Sequence, residues 1–357
     1  MNKEFRRTAV SRAALSARRP QALADGSDQQ GAIAILVALS LTVLIPMLAL
    51  VLDIGQALVV KQSLQNLADA AALAGARQLG RVYETLPPGA TGGVLSSRGQ
   101  GQVNSVVADV SGKNQPPHHT AFVLAKLGGW NATSRTLAGG GVLLDGVHVS
   151  AQTHVPTYVA SAVGVKTIAV SADATAALTG LSQVPAGSLT LPFGVARGWF
   201  SGKGWASQSF TLTKNGTSPV CAAWSTFSQT PATQNQLQTI MKRIQSGDSV
   251  SPTVNSRKTQ LQFLGANPGP AFTVLQSLYA SRKDSKTGDW LTVVPVYDRG
   301  SCAAATGPAT IVGFATMRLN QKSSTQLSAT VMANQIQVGR GGGTDYGTKG
   351  SIPGLVK

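Results

Sequence analysis

The chain is 357 residues long, room for one large domain or two ordinary ones, and carries a formal net charge of +16. Hydrophobic residues make up 43% but charged ones only 12% and aromatics 5%, so Ser, Thr, Gln and 39 Gly supply the polarity; this argues against a helical bundle and suits a β-rich extracytoplasmic domain. The positive charge forms no block or stripe, so no nucleic-acid partner is expected; it leaves a solvated basic surface or a weak attraction for anionic lipids and envelope polymers.

Residues 1–30 hold Lys3, Arg6, Arg7, Arg12, Arg18 and Arg19 against Glu4, Asp25 and Asp28, and read as a cytoplasmic basic tail. Residues 31–52, GAIAILVALSLTVLIPMLALVL, contain no charge. As a helix they reach about 33 Å, enough to cross a hydrocarbon core of about 30 Å. Gly31 opens this membrane anchor, Ala34, Ala38 and Thr42 form a ridge of small residues, and Pro46 predicts a mild kink. The cations precede the segment and Asp53 follows it, so the N-terminus stays in the cytoplasm and the bulk is exported, as in a single-pass protein of the inner membrane. A cleavable signal peptide is the main alternative, but its apolar core is usually shorter, about 7–15 residues. A processed pilin-type leader is a second alternative, weakened by Leu36 standing where such proteins carry Glu.

From Asp53 to Leu79 there is no Pro and much Ala and Leu, so the helix is expected to continue over 53–80. Ala57, Val60, Leu64, Leu67, Ala71 and Ala74 recur at spacings of three and four and form one narrow apolar stripe, with Asp53 on the same line. Such a stripe packs either on the protein's own ectodomain or on a partner helix. Asp53 either caps the span at the interface or contacts a partner subunit.

The stretch Gln30–Gln78 resembles the N-terminal domain of TadG-like Flp (tight-adherence) pilus-assembly proteins. The resemblance rests on Gly31-Ala32 opening the span, Asp53 and Gly55 closing it, and the run LQNLADAAALAGA from Leu64 to Ala76. A looser likeness covers His148–Leu178: a strand at Val147–Val155, then Pro156–Tyr158, Gly164 and a second strand at Ile168–Ala176. Larger relatives carry a metal site beginning Asp-x-Ser-x-Ser; Asp25-Gly-Ser-Asp-Gln departs from it, so metal-dependent adhesion is not implied. The resemblance implies a membrane-anchored, non-enzymatic component of a pilus-assembly apparatus, with other pilus-assembly or secretion subunits as partners.

Beyond the long helix, 81–180 reads as loops with short strands near 102–110 and a short helix near 119–127, then a strand–helix–strand unit. Its first strand alternates Val147, Val149, Ala151, Thr153 and Val155 against His148, Ser150, Gln152 and His154. A short helix over 156–163 and a strand over 167–177 complete it. LSQVPAGS, 181–188, reads as a linker into a β-rich domain, 181–338, which opens with Leu189, Leu191, Phe193 and Val195 in alternation. Helices are expected at 232–245, with Leu237, Ile240, Met241 and Ile244 on one face, and at 271–281, with Phe272, Leu275 and Tyr279. Strands are expected at 290–297, 309–319 and 327–338, and residues 339–357 as a mobile tail. The fold class is therefore α+β: a transmembrane helix continuing into a long amphipathic one, followed by a β-rich ectodomain with a few short helices.

No constellation points to catalysis, a metal or another cofactor. His148 and His154 share a strand face but stand about 20 Å apart, and His118-His119 follows two prolines in a loop. Serine-nucleophile and zinc-protease motifs are missing, as is a phosphate-binding Gly-Lys-Ser/Thr; Glu84 is the only glutamate outside the N-terminal tail. A cleft lined by His118 or His119 would favour an enzyme. Cys221 and Cys302 make either one disulfide or two buried thiols; a bridge would close a loop worth on the order of 4 kcal/mol. Two Asn-x-Thr sequons, at Asn131 and Asn215, read as coincidental.

Overall fold

A computed structural model describes residues 27–86, 95–139, 143–202, 204–214 and 220–356. Residues 1–26 of the basic tail, the Pro/Gly stretch at 87–93 and the sequon at 215–217 lie outside them. The molecule is built on one continuous helix, α1 (Ser27–Glu84), which runs through Pro46. At about 1.5 Å per residue it extends well beyond any bilayer. Its large apolar residues from Ile33 to Leu52 are exposed, while its second half buries one face.

That face lies on an antiparallel five-stranded sheet, order β16-β4-β3-β1-β2. The strands are β1 (Phe122–Asn131), β2 (Thr136–Ala138), β3 (Gly146–Pro156), β4 (Thr167–Ala177) and β16 (Gly354–Leu355). The period-two pattern of β3 works as expected: Val147, Val149, Ala151, Thr153 and Val155 are buried. Its partner β4 pairs in continuous register from Gly146↔Ala177 to Pro156↔Thr167. The link between them holds only a single 3₁₀ turn, Ala160–Val163, rather than a helix starting at Pro156.

Two expectations in the preceding region are exchanged. Residues 102–110 are not a strand but lie inside helix α2 (Ser97–Lys113), and 119–127 is not a helix but the loop before β1 and most of that strand. In α2 the apolar residues Val103 and Val107, with Ser111, fall at a spacing of four and face α1, and Ser96 caps the start by accepting from Gly99 N–H at 3.2 Å. The β-branched residues of this stretch obscure that period: Val106, Val107 and Val110 favour strand by propensity, and tertiary packing overrides them. In β1 the helix formers Leu124, Ala125, Lys126 and Leu127 are held extended by seven register pairs with β3.

The second unit is a seven-stranded sheet, order β10-β8-β6-β11-β12-β13-β7. Its strands are β6 (Phe193–Ala196), β7 (Ser209–Thr213), β8 (Ala222–Phe227), β10 (Gln260–Leu264), β11 (Trp290–Tyr297), β12 (Gly307–Ser323) and β13 (Gln326–Met332). Because β10 also pairs with the start of β12, five of these strands close on themselves around Phe193, Trp224, Phe263 and Tyr297. Helices α3 (Gln234–Gln245) and α4 (Ala271–Arg282) add Leu237, Ile240, Met241 and Ile244, and Phe272, Leu275 and Tyr279, to this core. The expected strand at 327–338 is two strands, β13 and β14 (Gln335–Arg340), broken at Asn334 with φ +55°.

Neither the linker nor the mobile tail is found. Leu181 and Val184 are buried, and β5 (Gln183–Val184) joins β9 (Val254–Asn255), β14 and β15 (Thr348–Ile352) in a four-stranded sheet. The tail then returns to the first unit, where β16 pairs with β4. Cys221, just before β8, is bridged to Cys302 in the loop after β11.

Candidate functional site

The polar residue with the most specific surroundings is Asp53, at the end of the apolar run. It is 2% exposed, and its carboxylate accepts three backbone N–H groups from the turn after β3: Tyr158 at 2.8 Å, Ala160 at 2.9 Å and Val159 at 3.2 Å. The N–H groups of Ala160 and Tyr158 do most to hold the carboxyl below the ordinary aspartate range. A carboxylate at a helix surface thus serves as the cap for a turn more than a hundred residues away. Thr157 and Lys166 close the base of that turn, Thr157 N–H donating to Lys166 O at 3.1 Å.

Above Asp53 the apolar stripe is spent on the protein itself. Val60, Leu64 and Leu67 pack with Ala121, Ala151, Val155, Val170 and Ala172, and Ala71 joins the next cluster; Ala57 and Ala74 are half-buried on the same face. Of the two packings left open for the stripe, the structure has the one on the protein's own ectodomain. Val60, Leu64, Leu67 and Ala71 have their partners in β3, β4, α2 and the loop before β1, and Asp53 has its own in the β3–β4 turn, so this face is already occupied within the chain. Polar contacts fix the register: Gln65 Nε2 reaches Asp69 at 2.9 Å and Asp173 O at 3.1 Å, and Arg77 reaches Ser351 O at 3.0 Å.

Below Asp53 the helix is bare. Gly31, Ala34, Ala38, Thr42 and Pro46 are all exposed, and so are the large apolar residues from Ile33 to Leu52. Thr42 returns its hydroxyl proton to the helix, with Leu39 O at 2.7 Å and Ala38 O at 3.1 Å, so its side chain presents a methyl group outward. Among the described residues this is the one helix long and apolar enough to cross a membrane.

Residues 31–78 match the family model described as putative Flp pilus-assembly TadE/G-like. The chain carries a Tad-like N-terminal segment. No curated protein and no solved structure matches it. The match relates the chain to Flp pilus proteins, and the geometry gives its motif physical content. The Tad-like segment comprises the bare rod, the Asp53 clamp and most of the docking stripe. In its Ala-rich run, Ala68, Ala71, Ala72 and Ala76 are fully buried. Gly75 lies where a Cβ would come within 2.7 Å of Val107 Cγ2 and 3.1 Å of Val147 Cγ1. Small residues here let α1 approach α2 and the sheet together.

Two of the clefts outside the Tad-like segment bear on function. One, of about 360 Å³, is lined by His118, His119, His154, Phe122, Gln152 and Thr153. It is the cleft that would favour an enzyme, and its chemistry is thin. Among the described residues no carboxylate or thiol lines it beside the imidazoles, and Thr153 donates its hydroxyl to Thr120 O at 2.9 Å. Nor, among them, is any group of His, Cys, Asp or Glu placed to hold a metal ion. His148 stands apart, its Nδ1 3.0 Å from Thr175 Oγ1.

The second cleft, of about 700 Å³ in the closed β unit, has Phe200, Trp205 and Tyr346 on its walls with Arg197 and Arg257. Phe200 packs against Trp205 and Tyr346 at centroid distances of 5.0 and 4.8 Å, and Arg197 pairs with Asp298 at 3.2 Å. Sequence reading missed this site because its residues come from five separate segments with no shared motif.

Proposed function

We propose that the chain is a non-enzymatic, single-pass component of a Flp (tight-adherence) pilus-assembly apparatus. In this reading residues 31–52 are embedded in the inner membrane, the N-terminus is cytoplasmic, and the β-rich bulk is a periplasmic scaffold facing other pilus or secretion subunits. The observation that carries it is the division of labour within the Tad-like segment. One uninterrupted helix is bare and apolar up to Leu52 and docked from Asp53 onward, so the ectodomain is held rigidly at a fixed height above the span. The partner surface must then lie on the ectodomain rather than on the α1 stripe.

The test is expression together with a Flp pilus-assembly gene set, membrane fractionation, protease protection and co-purification from detergent extracts. The expected result is a membrane-bound chain, cleaved only from the periplasmic side except for its N-terminal tail, that brings down pilus-assembly subunits. Recovery of intact protein in the soluble fraction would sink the anchor, and loss of the chain without effect on pilus assembly would sink the role.

A second reading has its own observation in the arginine- and aromatic-lined cleft. Aromatic faces stack on sugar rings and guanidinium groups bind carboxylate or phosphate; Asp298 and Asp345 share the walls and Arg197 is already paired with Asp298, which leaves Arg257 as the cation for an anionic envelope polymer. Pull-down with cell-wall material that weakens with salt and is lost in Arg257→Ala favours it; a salt-insensitive interaction confined to protein subunits does not.

A further inference from the structure

The apolar surface of α1 does not end at Leu52. Ile54, Leu58 and Val59 are all exposed, Val59 at 65%, and the first cation after them is Lys61. Seven residues of helix carry this surface about 10 Å past Leu52. Asp53 lies below that upper limit, and its three hydrogen bonds fix the β3–β4 turn at the same height. On that turn Tyr158 is 72% and Val165 48% exposed, with Lys166 also exposed. Beside it, Ile54, Ala57, Leu58, Ile168 and Val170 line an open groove of about 350 Å³ between α1 and β4, with Lys61 and Ser171 also on its walls.

We propose that the β3–β4 turn is a second membrane contact, with Tyr158 and Val165 seated in the headgroup–acyl boundary of the outer leaflet. Lys61, about 12 Å up the helix from Asp53, then stands at the level of the lipid phosphates, Lys166 on the turn extends its ammonium toward them, and the groove receives the upper part of an acyl chain. The occupant is lipid because the turn is tied to the end of the bare helix and lies within the height over which that helix still presents apolar side chains. A tyrosine with an apolar body and a polar tip, next to lysine, is what the bilayer interface favours. The ectodomain therefore stands on two feet and cannot swing freely about the span. This inference rests on reading 31–52 as lipid-embedded, and its test separates the two.

Tyr158→Cys, Val43→Cys and Ser285→Cys are each labelled with a nitroxide; the bridged native cysteines do not react. Each full-length chain is reconstituted, dilute and alone, in vesicles of phosphatidylethanolamine and phosphatidylglycerol. Collision with oxygen and with a water-soluble nickel chelate is then measured. The expected result is a label at 158 that loses most of its nickel accessibility relative to 285 and gains oxygen accessibility, with 43 shifted further the same way. A label at 158 matching 285 while 43 is shielded overturns the second contact and leaves the span intact. A label at 43 open to nickel overturns the span itself. Val165→Cys repeats the measurement from the other side of the turn, so a local defect at 158 does not decide the outcome.

Discussion

Asp53 is one acidic side chain whose replacement separates a cap from a surface charge. Three amide protons converge on it, and removing the acceptor leaves them with no partner on α1. Asp53→Ala is expected to speed hydrogen exchange at the Tyr158 and Ala160 amides and to expose the turn to proteases, while β11 in the closed β unit stays protected. Asp53→Asn keeps one acceptor oxygen and falls between the two. The pH dependence follows from the direction of its shift. A carboxyl held below its ordinary value contributes stability that is fully present above that value and lost as pH falls through the lowered one. Acidification of the wild type is therefore expected to loosen the turn, and Asp53→Asn, which has no such proton to bind, is expected to show a flat profile there. Equal acid loosening in both proteins would remove Asp53 as the cause.

At the scale of elements, α1 meets the tail as well as the sheet, and a glycine marks the place. A Cβ on Gly80 would lie 2.1 Å from Ser351 O, a backbone atom that cannot rotate away. Alanine raises helix propensity by about 1 kcal/mol, but overpacking costs about 1–3 kcal/mol, so Gly80→Ala is expected to destabilise by about 1 kcal/mol in denaturant melts. Gly101→Ala on α2, where nothing lies within 4 Å, is expected to stabilise instead. The same contrast explains what was legible in the sequence. Where a period was carried mainly by large apolar residues, as in β3, α3 and α4, element and buried face could both be read. It failed where partners decide. Glycines at 341, 343 and 350 suggested a mobile tail, yet a Cβ on each would fall within 2.9 Å of another segment's backbone. Their smallness serves close packing, which one sequence cannot distinguish from flexibility. Asp53 was visible as a charge at a boundary; its partners were not, because Tyr158–Ala160 contribute only backbone N–H groups, which carry no side-chain signature.

For the whole molecule, the question is what makes two units behave as one body. The Cys221–Cys302 bridge acts within the β unit, closing a separation of 81 residues. Replacing both by Ser is expected to lower that unit's stability by up to about 4 kcal/mol without changing the α1–sheet contact. The link between units is made instead by the tail, where Lys349 of β15 pairs with Asp145 before β3 and with Asp345 at 3.5 Å. The Lys349 and Asp145 side chains are only 13% and 3% exposed. Removing one partner strands the other charge in a buried site, so Lys349→Met is expected to cost about 3–5 kcal/mol. Its pH dependence is opposite to that of Asp53. Burial pushes the Asp145 carboxyl above its ordinary value even with Lys349 present, and the variant removes the opposing attraction. The folded state then binds a proton that the unfolded chain does not, so stability falls as pH rises between the two values and recovers on acidification. A loss in Lys349→Met that shrinks as pH is lowered identifies a stranded carboxylate; a loss that is constant with pH identifies ordinary packing, and the tail would then join the two units by shape alone.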